Sequence, residues 1–296
     1  MSLNYAESLS PYDNKGRLGL PEVYDDVDTL KNKVVLLAEW LRKSKCCVVH
    51  TGAGISTSAG IADFRSPNGV WTLQKQNKTA KSIDFNLAKP TFSHRALNAL
   101  EAKNLVKFVV TQNVDGLHVR AGYPLNRLAE LHGNVFVERC DKCRRKYYRD
   151  FVVGSVGFKK TGRKCEGNKN RPCRGSLRDE LLNWEDELPE DELQMARSFS
   201  QAADLSICLG TTLQIVPAGD LPLHAHRNGG KFVTVNLQET KHEKKADLII
   251  KGKIDEVMKL LMEELGIPVP DPQNDVKIVE ESSFPVEKFK RRRLCK

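Results

Sequence analysis

A glycine-rich segment contains the residues best suited to binding a phosphate-bearing ligand. It spans residues 51–65 and follows the apolar, strand-like run 46–50. A strand that turns through closely spaced glycines can bring backbone N–H groups against a pyrophosphate at a helix N-terminus. Gly52 and Gly54 occupy the first two glycine positions of the dinucleotide fingerprint, but Thr57 occupies the third. The fingerprint is therefore incomplete.

The same segment ends in three residues that a simple dinucleotide turn does not require. Asp63, Phe64 and Arg65 place an acid, an aromatic ring and a guanidinium just after the turn. A dehydrogenase has no need of such an insertion at this point. The residues indicate a site that handles the nicotinamide end of a dinucleotide in an unusual way.

Three further segments with polar side chains could complete such a site. Residues 111–118 and 210–213 each follow an apolar, strand-like run, and residues 131–133 contain His132. Because ligands bind beyond the carboxyl ends of the strands in open α/β sheets, we expect these segments to converge on the glycine turn. A lone histidine is more often structural, but one at such an edge suits a general base, since its ordinary pKa of ~6.5 lies near neutral pH.

Four cysteines lie in polar, lysine- and arginine-rich sequence where no apolar core would recruit a thiol. They are Cys140, Cys143, Cys165 and Cys173, two pairs whose inner spacings are two and seven residues. Four thiolates in two pairs suit a tetrahedral zinc ion, although the second spacing is wider than the usual two to four residues. Four protein ligands leave no open position for water, so the spacing predicts a structural zinc.

The remaining pattern predicts strands that alternate with helices. A helix begins at Asp28, its predicted N-cap, and a second opens at Ser93, whereas residues 66–90 show little pattern. Further helices are predicted at 190–202 and 254–265, and strands at 46–50, 105–110, 204–209, 232–235 and 247–250. This order predicts an α/β fold, a Rossmann-like open parallel sheet with an inserted small zinc-binding module.

We divide the chain into four parts on this basis. Residues 1–27 are predicted to form an N-terminal arm, and residues 28–131 with 200–266 a discontinuous Rossmann-like domain. Residues 132–199 form the zinc-binding module. Residues 267–296 are rich in proline, aspartate and lysine and are predicted to be a flexible basic C-terminal tail.

The charge of the chain favours acidic partners. The 296 residues carry a net charge of +9, which suits nucleic acid, although a solvated basic surface without a specific partner is the alternative. The run from Lys288 to Arg293 resembles a nuclear-import signal. No apolar run approaches the ~18 residues needed to cross a bilayer. We therefore expect a protein of the cytosol or nucleus that does not associate with membranes. We also expect a monomer, although no pattern in the sequence indicates the oligomeric state.

Together these motifs resemble those of the sirtuins, a family of NAD-dependent protein-lysine deacylases. Gly-Ala-Gly-Ile-Ser, Asp-Phe-Arg, Thr-Gln-Asn-Val-Asp-Gly-Leu-His, Leu-His-Gly-Asn and the four cysteines appear in the family's order, between about residues 30 and 265. Finer features resemble the nuclear class IV branch, in particular Tyr5 with Leu9 to Tyr12, Gly69-Val70-Trp71, Trp184-Glu185-Asp186 and Val235 to Gln238.

The resemblance implies a role for each matching residue. The catalytic residues would be His132 as general base, Asn113 and Asp115. The NAD-binding residues would be Gly52, Ala53, Gly54, Thr57, Asp63, Phe64, Arg65, Trp71, Gln112 and His132, with Gly210, Thr211, Thr212, Asn236, Gln238 and Ile254 on the adenosine half. The zinc ligands would be Cys140, Cys143, Cys165 and Cys173.

The implied reaction moves an acyl group from lysine to ADP-ribose. The acyl carbonyl oxygen attacks the nicotinamide ribose and expels nicotinamide, and His132 then deprotonates a ribose hydroxyl, so that O-acyl-ADP-ribose and free lysine result. The resemblance further implies acylated lysines on histone tails or other proteins as substrates, nucleosomes, chromatin and DNA as partners, and removal of long fatty-acyl groups as well as acetyl.

Some positions depart from the family, and other functions remain open. Proline is common where Ala62 stands, and glycine is usual in the branch where Ser66 stands. The Cys165–Cys173 connection is short and keeps only Arg171 and Lys169 as candidate anchors for a nucleosome. A mono-ADP-ribosyltransferase using the same site, a catalytically weak chromatin-binding scaffold and an NAD-dependent dehydrogenase are the alternatives.

Overall fold

The computed structural model describes residues 2–167 and 172–271, and its strands form two sheets. The strands are β1 Cys47–Thr51, β2 Val106–Thr111, β3 Leu128–Glu130, β4 Val137–Cys140, β5 Lys146–Tyr148, β6 Lys160–Lys164, β7 Ser176–Asp179, β8 Leu205–Leu209, β9 Lys231–Val235 and β10 Leu248–Ile250. The α-helices are α1 Ser2–Ser8, α2 Val27–Lys43, α3 Val70–Lys75, α4 Phe92–Ala102, α5 Leu117–Arg120, α6 Glu190–Ala202, α7 Leu223–Arg227 and α8 Ile254–Leu265.

The larger sheet is parallel and has the strand order β10-β9-β8-β1-β2-β3. Strands β1, β2 and β8 are buried along their whole length, which is why they appear as continuous apolar runs in the sequence. From β1 the chain continues to β2 and β3 on one side and returns at β8 on the other. This change of direction makes the boundary between β1 and β8 a topological switch point, where α/β proteins bind ligands. The predicted α/β fold class is confirmed.

Helices cover both faces of this sheet. On one face, α2, α4 and α8 bury Leu37, Leu97 and Leu261 against the strands. On the other face, the ring of Phe199 in α6 stacks on Phe108 in β2, with ring centroids 4.1 Å apart. The predicted boundary between residues 199 and 200 thus falls inside a helix that packs on the large sheet.

The smaller sheet is antiparallel, in the order β5-β4-β7-β6, and lies within the inserted segment. Its strands are short, and their burial differs: β4 is mostly buried, β7 alternates buried with half-buried residues, and β6 has no buried residue. Its buried cluster consists of Cys140, Tyr147, Cys165 and Leu177. The module therefore has a small apolar core built around its cysteines.

The N-terminal arm contains structure that the sequence pattern did not predict. Helix α1 precedes an extended segment in which the Ser10 amide and hydroxyl both donate to Asn183 Oδ1, at 2.8 and 2.9 Å. Further along, the Gly19 amide donates to the Arg65 carbonyl at 2.9 Å. The short helix α3 was also missed, because six residues show too little periodicity to stand out.

Several element boundaries differ from the prediction. The N-cap of α2 is Asp26, whose carboxylate accepts from the amides of Asp28 and Thr29, so the assignment of Asp28 was wrong. Helix α4 is capped by Thr91, one residue before its first turn. After the glycine turn the chain forms two 3₁₀ turns at residues 53–55 and 57–59, so no α-helix begins there. Cap and turn residues are decided by local hydrogen bonds that periodicity does not detect.

Some predictions fall outside the described residues. These are the tail beyond residue 271 with its basic run 288–293, and the candidate anchors Lys169 and Arg171. Among the described helices, none combines the length and the apolar character that crossing a membrane requires.

Candidate functional site

The predicted catalytic and cofactor-binding residues share one cavity of about 1190 Å³ at the carboxyl ends of the large sheet. The loops after β1, β2, β3, β8 and β9 all open into it. Its lining includes every one of them: Gly52, Ala53, Gly54, Thr57, Asp63, Phe64, Arg65, Trp71, Gln112, Asn113, Asp115, His132, Gly210, Thr211, Thr212, Asn236, Gln238 and Ile254.

The glycine turn has a structural role that the fingerprint did not suggest. The amides of Gly52 and Gly54 donate to the carbonyl oxygens of Leu209 and Gly210, at 3.1 and 2.9 Å. A Cβ atom at position 54 would lie 2.7 Å from the Gly210 Cα atom. The two glycines therefore let the turns after β1 and β8 pack directly together. Their N–H groups are used within the protein and do not form a phosphate cradle.

An amide and a carboxyl group are held in fixed orientations after β2. Asn113 Nδ2 donates to the Gly52 carbonyl at 3.0 Å, and Asp115 accepts from Ser56 Oγ at 2.7 Å and from the Leu117 amide at 2.9 Å. Burial raises the pKa of Asp115 above its usual value. Ser56 was not among the predicted site residues, although it lies only two residues after Gly54. Its hydroxyl is what orients the carboxyl group.

His132 is held as a neutral imidazole with one nitrogen available. Its Nδ1 lies 3.0 Å from the Gln112 carbonyl oxygen, which can only accept, so Nδ1 carries the proton. Burial is the main cause that lowers the pKa of His132 to about 4, and the Arg65 guanidinium lowers it further. The ring is therefore uncharged at neutral pH, with its single proton on Nδ1, and Nε2 keeps its lone pair. The ordinary histidine pKa on which the sequence argument rested does not apply here.

The loop between residues 63 and 71 is closed by its own side chains. Asp63 Oδ1 accepts from the amides of Arg65 and Ser66, at 2.9 and 2.7 Å. The Arg65 guanidinium lies 4.6 Å from the centroid of the Trp71 ring, and its Nε donates to the Lys15 carbonyl at 2.9 Å. Burial lowers the pKa of Arg65 to about 10, which leaves it charged at neutral pH. Asp63 thus shapes the loop, and Arg65 brings a fixed positive charge to the cavity.

Aromatic rings extend from this loop toward the N-terminal arm. Phe64 lies 4.5 Å from Trp71, and Trp71 lies 5.3 Å from Trp184, measured between ring centroids. Trp184 in turn stacks on Tyr12 at 4.7 Å. Trp184 lines the cavity but was noted in the sequence only as a branch feature. The contact joins segments far apart in the chain, so no local pattern could have predicted it.

On the side of β8 and β9, several predicted side chains hold the loops in place. Thr211 Oγ1 accepts from Gln112 Nε2 at 3.2 Å. Gln238 Nε2 donates to the Leu20 carbonyl at 2.7 Å, which ties the arm to the cavity. Asn236 Nδ2 donates to the Gln238 carbonyl at 3.0 Å. These residues line the cavity, and their hydrogen bonds to one another and to the arm hold the surrounding loops in place.

Part of the cavity is apolar, and this region was not predicted. Its residues come from five separate segments, including α1, so no pattern in the sequence groups them. They are Tyr5, Leu9, Ile61, Phe85, Val114 and Leu182. The cavity thus has a polar half and an apolar half.

The four predicted zinc ligands come together in the small module. Cys140 Sγ lies 3.7 Å from Cys173 Sγ, Cys143 Sγ lies 3.5 Å from Cys165 Sγ, and all four sulfur atoms lie within 4.8 Å of one another. A tetrahedral zinc with Zn–S bonds of ~2.3 Å needs sulfur atoms roughly 3.8 Å apart. The residues therefore fit a structural zinc ion.

Charged side chains join the module to the large sheet. Lys146 of β5 lies 3.1 Å from a Glu180 oxygen and 2.8 Å from a Glu192 oxygen of α6. Close by, the Glu130 carboxyl group at the end of β3 accepts from Asn134 Nδ2 at 2.8 Å. Burial raises the pKa of Glu130 to about 8, against the opposing effect of Lys146.

The fold and the site define an α/β enzyme with a dinucleotide cavity at its switch point and an inserted zinc module, and comparison with known sequences names the family. A model of the Sir2 family matches residues 74–217. The NAD-dependent protein deacetylase Sirt6 of Drosophila melanogaster is 50% identical over 276 residues, which cover 92% of this chain and 87% of that protein. The NAD-dependent protein deacetylase SRT1 of Arabidopsis thaliana is 48% identical over 272 residues, 91% of this chain and 57% of that protein. The chain belongs to the Sir2 family, the sirtuins.

Solved structures agree with this assignment. A complex described as Sir2, p53 peptide and NAD+ has a TM-score of 0.61 and 34% identity, over 78% of this chain and 98% of that one. A structure of Sir2 bound to acetylated peptide also has a TM-score of 0.61 and 34% identity, over 79% and 98% of the two chains. The family supports the predicted NAD, and the sulfur geometry supports the predicted zinc.

Proposed function

We propose that this protein is an NAD-dependent protein-lysine deacylase, which transfers the acyl group of a modified lysine to ADP-ribose and releases nicotinamide. The observation that carries the proposal is the setting of His132. Its Nδ1–H is tied to the Gln112 carbonyl, so Nε2 is free to take a proton within the cavity that Asn113 and Asp115 also line. This is the arrangement of a general base.

Bound NAD supplies a glycosidic carbon that can lose nicotinamide, and the residues of the chain hold and shield it. Asn113 uses its Nδ2 on the Gly52 carbonyl, which leaves its Oδ1 to accept from a ribose hydroxyl. Asp115 is buried and held by Ser56, so it meets the nicotinamide carboxamide in one orientation. Arg65 provides positive charge for a pyrophosphate. Asn113, Asp115 and Arg65 are each held by hydrogen bonds within the protein, so binding should need little reorganisation.

The strength of the base depends on what fills the cavity. With a pKa of about 4, His132 is neutral but weakly basic. Part of this low value comes from the nearby Arg65 guanidinium. The negative charges of a dinucleotide favour the protonated imidazole and raise its pKa toward neutrality. We therefore propose that NAD strengthens the base that acts on it.

The apolar half of the cavity supports removal of long fatty-acyl groups as well as acetyl. Ile61, Phe85 and Val114 form an apolar wall, and Tyr5 and Leu9 of the arm pack against it. Burying a chain of methylene groups there is favourable by about 0.8 kcal/mol for each group. A long acyl chain should thus bind more tightly than acetyl.

The finer assignments follow from the resemblance to the class IV branch. We propose acyl-lysines of histone tails as substrates, chromatin as the partner, the nucleus as the location and a monomer as the working form. The net charge of +9 suits an anionic partner of this kind. The four-part division of the chain, with its arm, discontinuous Rossmann-like domain, zinc module and basic tail, is part of the same proposal.

The decisive test is substitution of the base. His132→Ala should lower the rate of deacylation by roughly 10²- to 10⁴-fold, the usual contribution of a general base. The variant should keep the wild-type melting temperature, because the ring lies at the cavity surface. His226→Ala, outside the cavity lining, is the matched control and should retain full activity. Mass spectrometry of acyl-lysine peptides incubated with NAD measures the effect; an active, folded His132→Ala protein would refute the proposal.

The products separate this function from its alternatives. With NAD labelled in the adenosine half, a deacylase leaves the label on the released acyl group as O-acyl-ADP-ribose. Label on protein would instead identify a mono-ADP-ribosyltransferase, and NADH absorbance a dehydrogenase. A scaffold would release no nicotinamide. Acetyl- and myristoyl-lysine histone H3 peptides, compared with acetylated nucleosomes, then measure the acyl and chromatin preferences.

A further inference from the structure

A tyrosine of the small module makes a direct contact with one of the cysteine sulfur atoms. Tyr147 Oη lies 3.0 Å from Cys165 Sγ, and the same oxygen accepts a hydrogen bond from the Glu166 amide at 3.2 Å. Because the oxygen already accepts from an N–H group, its own proton is free to point at the sulfur. The side chain is 5% exposed, so water does not compete for this proton.

The two cysteine pairs differ in the number of hydrogen bonds that their sulfur atoms accept, and the tyrosine contact makes up the difference. Cys140 Sγ accepts two backbone hydrogen bonds from its own turn, from the amides of Lys142 and Cys143, both at 3.4 Å. Among the described contacts, Cys165 Sγ accepts one such bond, from the Gly167 amide at 3.4 Å. The seven-residue spacing to the next cysteine does not repeat the tight turn of the first pair. Tyr147 supplies a second donor from a different strand.

We propose that Tyr147 is a positioning residue of the zinc site, whose hydroxyl donates to the Cys165 thiolate and holds that ligand ready for the metal. A zinc ion with four thiolates carries a net negative charge, and hydrogen bonds to the sulfur atoms spread that charge. Such outer contacts orient metal ligands and tune their donor strength. The role concerns the metal and is independent of the proposed deacylase reaction.

Tyr147 is itself held by two charged residues of the module, Glu138 and Arg149. It pairs with Glu138 across β4 and β5, and the Arg149 guanidinium lies 5.0 Å from the centroid of its ring. Arg149 Nε in turn lies 2.7 Å from an oxygen of Glu138, whose side chain is fully buried. In the folded module these contacts fix the ring with its hydroxyl at the sulfur.

The test is zinc affinity, measured by competition with a chromogenic chelator. Tyr147→Phe removes only the hydroxyl and should lower zinc affinity roughly 10- to 100-fold. Tyr148→Phe, the next residue and on the other face of the strand, is the matched control and should bind zinc as the wild type does. Circular dichroism in excess zinc should show the same fold in all three proteins. Equal affinities for Tyr147→Phe and the wild type would overturn the proposal.

A measurement on the unmodified chain covers the case in which Tyr147→Phe does not fold. In wild-type protein loaded with ¹¹³Cd in place of zinc, nuclear magnetic resonance should show a slowly exchanging Tyr147 hydroxyl proton that is coupled to the metal through the Cys165 sulfur. Couplings from the metal to the four cysteines without one to this hydroxyl proton would equally overturn it.

Discussion

The large sheet and the zinc module achieve stability by different chemistry. Strands β1, β2 and β8 are buried throughout, and helices on both faces add large apolar residues such as Phe199. In the module, strand β6 alternates exposed and half-buried residues, and two of the four residues in the buried cluster are cysteines. A segment with so little apolar surface to bury gains its order from metal–sulfur bonds.

The two regions also handle buried charge differently. In the module, the buried Glu138 is matched by Arg149 and Arg163, at 2.7 and 2.8 Å. In the cavity above the large sheet, Asp115 and His132 make their hydrogen bonds to uncharged groups, and desolvation shifts their pKa values toward the uncharged forms. Paired charges serve structure in the module, whereas the shifted Asp115 and His132 line the cavity of the proposed reaction.

Removing zinc should have the largest effect, because it should destabilise the zinc module and leave the large sheet folded. Structural zinc contributes about 10–16 kcal/mol of binding free energy that is also folding free energy. A chelator should therefore abolish protection from hydrogen exchange in β4 to β7 while the large sheet stays protected. Cys143→Ala should have the same effect as the chelator, whereas Cys208→Ala, in the core of the large sheet, should leave the module protected. Loss of protection in both regions at once would mean that they fold as a single unit.

Replacing Glu130 tests the junction between the two regions. The folded protein keeps this carboxyl protonated up to a pKa of about 8, whereas the unfolded chain ionises near its ordinary value of ~4.5. Between pH ~4.5 and about 8 only the folded state holds the Glu130 proton. The protonated carboxyl therefore contributes its full stability below pH ~4.5, and this contribution is lost as the pH rises to about 8. Glu130→Gln cannot titrate, and its stability relative to wild type should rise by about 1.4 kcal/mol for each pH unit in this window.

Urea denaturation at several pH values measures this difference. Glu7→Gln, at an exposed position, is the control for replacing a carboxyl group that is not buried. A Glu130→Gln protein whose relative stability falls as the pH rises would show that the carboxyl is ionised and paired with Lys146 in the folded state.

The smallest expected effect concerns the cap of α2, a helix that packs in the core of the large sheet. Asp26→Ala removes the acceptor for the amides of Asp28 and Thr29 and should lower the free energy of unfolding by about 1 kcal/mol. Asp28→Ala should cost less, because Asp28 only complements the helix dipole. Thermal unfolding measures both, and the module should keep its zinc in each variant. The reverse order of the two effects would count against Asp26 as the cap.

Much of the fold was predictable because it depends on local composition. Helices 190–202 and 254–265 were located to the residue, and the buried strands to within a residue or two, since apolar runs and helical spacing are visible in any short window. Helix α1 and the caps Asp26 and Thr91 were missed. They depend on a few hydrogen bonds or on contacts with distant segments, which leave no periodic trace.

The sequence by itself determined which residues could do chemistry: the cysteine quartet, His132, and the polar segments that follow the strands. Their types and spacing are intrinsic to the chain. Only the tertiary structure decided what each does. Close packing of the turns after β1 and β8 uses the amides of Gly52 and Gly54, and burial near Arg65 lowers the pKa of His132 to about 4. Packing and desolvation depend on neighbours distant in sequence, so they appear only when the chain is folded.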